Sequence, residues 1–159
     1  MSSIEHSLPA GPSDAHVRVL FELENRKLGD AEALWAERVG AGTVRLDNIP
    51  MLIFGVSMGD VVSVTSSEDA LMFAGVADRG GHSTYRVMLE DADDALTQDR
   101  FREIVTLGCA HERLTPRFIA IDVPPDVDVF KVYDLLERGL QDGTWTFEEG
   151  HCGHPVDAT

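Results

Sequence analysis

The chain has 159 residues, 43% of them hydrophobic, enough to bury a core without disulfide staples as one domain or two very small ones. Thirteen Lys and Arg against 28 Asp and Glu give a net charge of −15. That charge repels phosphate backbones and anionic bilayers, so nucleic acid and membrane are excluded as expected partners, and a basic protein partner or plain solubility is favoured.

Residues 1–14 place Ser2, Ser3, Ser7, Ser13, Pro9, Pro12 and Gly11 around isolated Ile4 and Leu8. Such a composition buries too little apolar surface to offset chain entropy. Residues 1–15 are therefore expected to be a disordered tail whose removal leaves stability unchanged. The stretch lacks the basic start and apolar run of a signal peptide, no later run is long enough to span a bilayer, and two cysteines make no secreted disulfide framework. The expected location is the cytosol.

From His16 the pattern alternates, with Val17, Val19, Phe21 and Leu23 on one face of a half-buried strand. Residues 33–39 read as a second strand or a short helix, and residues 43–46 as a third strand. Met51-Leu52-Ile53-Phe54-Gly55-Val56 is the most apolar run. It is expected to plug the core between strands, the alternative being an exposed loop that binds a partner. Two further strands follow, around Val61 to Val64 and Leu71 to Val76. Short strands with Gly-rich turns suggest a small antiparallel barrel over residues 16–79.

Beyond Gly80-Gly81 strands alternate with helices. Residues 84–89 and 118–123 read as strands, with a shorter one over 109–114. Phe101, Ile104, Val105 and Leu107 repeat at helical spacing, with Thr97 as N-cap and Gly108 as terminator. Val129, Val132, Tyr133, Leu136 and Leu140 mark a second helix, and residues 144–148 close as a strand. The expected fold is α+β: a small antiparallel β-barrel-like N-terminal part packed on a ferredoxin-like (βαββαβ) C-terminal part over residues 80–150, followed by a His/Cys-containing tail over 151–159. That order lets the strand after His82 pair antiparallel with the one before His151.

Leu34-Trp35-Ala36-Glu37, Arg45-Leu46-Asp47-Asn48-Ile49-Pro50, Gly55-Val56-Ser57-Met58-Gly59-Asp60, Gly81-His82-Ser83-Thr84-Tyr85-Arg86 and Gly150-His151-Cys152-Gly153-His154-Pro155 together resemble a bacterial family of small uncharacterised proteins, domain of unknown function 4265. The likeness runs from about Val17 to Pro155 and implies no activity, substrate or cofactor. It implies that the two His-containing stretches belong together.

Two constellations could carry chemistry. His82, Ser83, Tyr85 and Arg86 supply a base, a nucleophile, a phenol and an anion-holding guanidinium. Neighbours on a strand point to opposite faces, so His82 and Ser83 cannot pair directly. His151, Cys152 and His154 are good zinc ligands, and Cys109 with His111 is the pair that could complete such a site. Against each stands a structural use: His82 capping a turn, and residues 150–155 forming a glycine-shaped turn. The function expected is a small acidic cytosolic binding module that engages a protein partner, inhibitory or immunity-type, with no cofactor. The alternative is a metal- or histidine-dependent enzyme using His82 with His151, Cys152 and His154.

Overall fold

The computed structural model describes residues 2–9 and 15–156. Six strands form the first sheet: β1 (Ser3–Glu5), β2 (His16–Glu22), β3 (Ala31–Gly40), β4 (Thr43–Leu46), β5 (Val61–Ser67) and β6 (Ala70–Asp78). Their order is β1-β3-β2-β6-β5-β4, with β3 pairing β4 as well. Val19, Phe21, Leu34, Ala36, Val44, Leu46 and Val62 are buried together inside it. Leu34 and Ala36 turn inward two residues apart, which is why residues 33–39 settle as strand rather than helix.

The remaining chain runs β7 (Ser83–Leu89), α1 (Ala95–Thr106), β8 (Ala110–Arg113), β9 (Phe118–Val123), α2 (Val129–Gln141) and β10 (Trp145–His151). The four strands form an antiparallel sheet in the order β10-β7-β9-β8. Both helices cover one face, where Tyr85, Val87 and Leu89 pack with Ile104, Val132, Leu136 and Trp145. Asp94, not Thr97, caps α1: its carboxylate accepts from the Thr97 N–H, and Thr97 lies buried in the first turn. Gly108 follows α1, and Gly143 follows α2, as expected. No helix among the described residues is long and apolar enough to cross a membrane.

The uncovered face of the second sheet meets the loop between β4 and β5. Ile49 and Met51 of that loop pack on Ala120 of β9. The apolar run divides its residues: Met51, Ile53 and Val56 are buried, as a plug requires, whereas Phe54 is 63% exposed.

The expected fold needs correction. An antiparallel barrel-like part on a ferredoxin-like part does not describe this arrangement, which is an α+β fold of a six-stranded and a four-stranded sheet with two helices. The first sheet is mixed, since β2 runs parallel to β6 and β1 parallel to β3. Alternation along a chain marks strands but carries no information on which strands pair or in which direction.

The disordered tail is corrected too, within its described part. Ser3, Ile4 and Glu5 pair with Ala31, Glu32 and Ala33, and the His6 side chain is buried. Residues 10–14, part of the same expectation, and residues 157–159 of the C-terminal tail lie outside the described residues.

Candidate functional site

β7 organises the site because its alternate residues serve different neighbours. Tyr85, Val87 and Leu89 point into the helix-covered core. His82, Thr84 and Arg86 contact the opposite side, where the loop from the first sheet lies. The His82 Nδ1 donates to both Asp122 oxygens, at 2.9 and 3.0 Å. Thr84 shares a 2.6 Å hydrogen bond with Ser57. Arg86, 1% exposed, donates from Nε to Glu148 (3.0 Å) and from Nη1 to the Ile53 carbonyl (2.6 Å). Its guanidinium lies 4.4 Å from the centre of the Phe54 ring, a cation–π contact. Arg86 Nη2 is buried without a partner among the described residues.

The two histidine stretches do come together. β10 pairs antiparallel with β7, placing His151 opposite Thr84. The Ser83 hydroxyl receives the Gly153 and His154 N–H groups at 3.0 and 3.3 Å and lies 2.6 Å from His154 Nδ1. The Pro124 carbonyl accepts from His154 Nε2 at 2.9 Å, so in the neutral ring Nδ1 takes the serine hydrogen. Backbone approach is close here: a Cβ at Gly153 would land on the His82 carbonyl oxygen, and one at Gly80 would lie 2.6 Å from the Gly59 oxygen. Only glycine fits these crossings. Asp60 ties the corner further, accepting from Gly80 N–H and from Arg79.

His82 and Ser83 thus serve separate partners, as their opposite directions require. The Asp122 hydrogen bond raises the His82 pKa, against the effect of burial. Burial raises that of Asp122, the bond to His82 opposing it. His151 is shifted down by burial and by nearby Arg79. Tyr85, which donates to Glu149 at 3.0 Å, is shifted up by burial first and then by that carboxylate.

The arrangement offers little to a metal. Both His154 nitrogens are engaged, Cys109 is a buried core residue whose thiol burial pushes up to about 12, and the His111 ring packs edge-on against Phe101. Among the described residues no group of three or more His, Cys, Asp or Glu is placed to hold a metal ion. Cys109 and Cys152 are free thiols.

Three participants, Asp122, Glu32 and His6, escape a motif search. Asp122 had a signal, being the one charged residue in the apolar strand Phe118–Val123. Glu32 had the same one, a carboxylate inside an otherwise apolar strand start. Buried completely, Glu32 accepts from the backbone N–H groups of Met51, Leu52 and Ile53 at 2.6, 2.9 and 3.0 Å, and from His6 at 2.6 Å. It fixes the loop that carries Phe54. His6, from a polar segment, had no signal.

No curated protein matches the chain. A crystal structure of a hypothetical protein from Neisseria gonorrhoeae is similar at TM-score 0.70 and 14% identity, covering 89% of this chain and 97% of that one, a likeness of fold alone. A family model matches residues 32–147, a span that takes in Glu32, Phe54, His82, Arg86 and Asp122 and stops short of His151, and the chain belongs to the family so described, Domain of unknown function (DUF4265).

Proposed function

We propose that this chain is a small acidic binding module that engages a basic protein partner, of the inhibitory or immunity kind, through the surface around Phe54. The observation that carries the reading is Phe54 itself. Its ring is 63% exposed, yet the loop beneath is pinned by Glu32 on its N–H groups and by Arg86 on the Ile53 carbonyl. A solvent-facing aromatic ring carried on a pinned backbone is the kind of side chain that anchors protein interfaces. Support also comes from Ser83 and His154, whose polar atoms are bonded within the protein.

A photo-crosslinking amino acid placed at position 54, with a control at exposed Leu140 on α2, tests this in cells that carry the gene. The expected result is one basic protein joined at position 54 and absent from the control. Adducts of equal yield at both positions would sink the reading.

One observation favours the second reading, a histidine-dependent enzyme. His82 is held by Asp122 at Nδ1, the carboxylate–imidazole pairing that orients a general base, with Nε2 beside Gly59. Loss of function in His82→Asn with Phe54→Ala fully active would select it.

A further inference from the structure

We infer that the groove between the end of β2, residues 52–54 and Phe73 docks a segment of the partner in which an apolar side chain is flanked by lysine or arginine. This rests on the binding reading above and names the partner's chemistry. The registered pairing of β2 with β6 stops at Leu20 and Met72, and the groove opens where the two strands part. Its volume is about 410 Å³, room for one or two large side chains.

Alternation along the chain builds the wall. Phe21 and Leu23 turn in and are buried, whereas Glu22 and Glu24 turn out and are exposed. Phe21 stacks on Phe73 with ring centres 4.7 Å apart, which makes an aromatic floor. Leu28 (60% exposed) and Phe54 form the two lips.

The rim is acidic and poorly compensated. Glu22 and Glu24 take part in no ion pair among the described residues, and Glu148 shares only the Nε of Arg86. Of the cations in the adjoining turn, Arg26 faces Asp30 at 3.5 Å, which leaves Lys27. Inside a chain of net charge −15 this rim selects for a cationic neighbour to whatever apolar group fills the floor. A second copy of the chain, carrying the same charge, is disfavoured as occupant.

The test is a ¹⁵N NMR titration of the full chain with the capped peptide Lys-Leu-Arg-Phe-Lys-Leu-Arg, and with a control in which Glu replaces every Lys and Arg. Saturable shifts at Phe21–Leu28, Leu52–Phe54 and Phe73 are expected with the basic peptide only. Phe54→Ala should weaken binding about tenfold or more, and the Glu22→Lys/Glu24→Lys pair should reverse the preference between the peptides. These positions are exposed, so neither variant is expected to unfold. Shifts scattered over the acidic surface, an equal response to the acidic peptide, or dimers that dissociate in Phe54→Ala would each overturn the inference, even if the crosslink at position 54 stands. Saturable groove binding without that crosslink would support the groove and count against the broader reading.

Discussion

The replacement His6→Ala is a direct test of how the loop under Phe54 is held. The buried ring donates from Nε2 to Glu32 at 2.6 Å and from Nδ1 to Glu112 at 2.9 Å. A carboxylate on each nitrogen requires both to carry hydrogen, so the ring is an imidazolium. Burial opposes that charge, but the hydrogen bonds to Glu112 and Glu32 outweigh it and raise the pKa from 6.5 to about 9. At ~1.4 kcal/mol for each pKa unit, this corresponds to about 3 kcal/mol of stability. Removing one member of a buried ion pair costs ~3–5 kcal/mol, and Glu32 keeps three backbone donors, which points to the same lower figure. The melting temperature should therefore fall by roughly 6–12 °C. The sign with pH is fixed: a raised imidazole pKa stabilises fully below the unfolded value of 6.5, and the stabilisation is lost as pH rises through about 9. Urea melts of both proteins from pH 6 to pH 10 should show a gap of about 3 kcal/mol that closes toward the alkaline end. His82, also raised, contributes to both curves and cancels in the difference. A gap independent of pH would mean that only packing was lost. No gap at all would restore the idea of a dispensable tail.

Two further variants probe the histidine corner. Ser83→Ala leaves the Gly153 and His154 N–H groups and His154 Nδ1 without their partner in a buried site, so chemical denaturation should show a loss of about 2–4 kcal/mol; a loss within measurement error would refute a structural lock. Asp122→Asn removes the carboxylate that raises His82, so an NMR titration should find its pKa lowered toward the ordinary imidazole value, and an unchanged value would assign the shift to another group.

The sequence was most legible where chain-local rules decide structure. The strand over residues 118–123 is β9 residue for residue, because FIAIDV is bounded by a turn and by Pro124-Pro125. Both helices stand close to where apolar spacing and terminal glycines put them. The cap of α1 is not legible in the sequence, because Asp94 and Thr97 are both good capping types and the pattern does not say which is outside the first turn. Contacts between distant segments were illegible. His6 meets Glu112 across 106 positions and Glu32 across 26, and nothing in the composition of residues 1–9 marks a histidine about to be buried. The same holds for β1, three residues long and held by a parallel partner. For the candidate site, period two on β7 separated His82 from Ser83, and the glycines flagged both turns. Asp122 as the partner of His82, and the Pro124 carbonyl as that of His154, came only with the tertiary structure, the first through the pairing of β7 and β9.

Why an aromatic ring stays exposed on so acidic a surface follows from how its backbone is held. Residues 51–53 lie between two buried charges of opposite sign, Glu32 and Arg86. The carboxylate takes three successive N–H groups, and the guanidinium takes the Ile53 carbonyl, so each charge meets the complementary end of the peptide dipoles. Met51 and Ile53 are drawn into the interior by this arrangement, which leaves Phe54 no path inward. The Arg86 guanidinium lies against its face. The backbone that carries the ring is thus held in the folded protein, and on the proposed reading this lowers the ordering cost on binding, ~0.5–1.5 kcal/mol for a mobile side chain. On the proposed reading this preorganisation is what His6 serves. By charging the Glu32 site from an N-terminal segment, it lets one end of the chain set the rigidity of a surface built by residues 52–54.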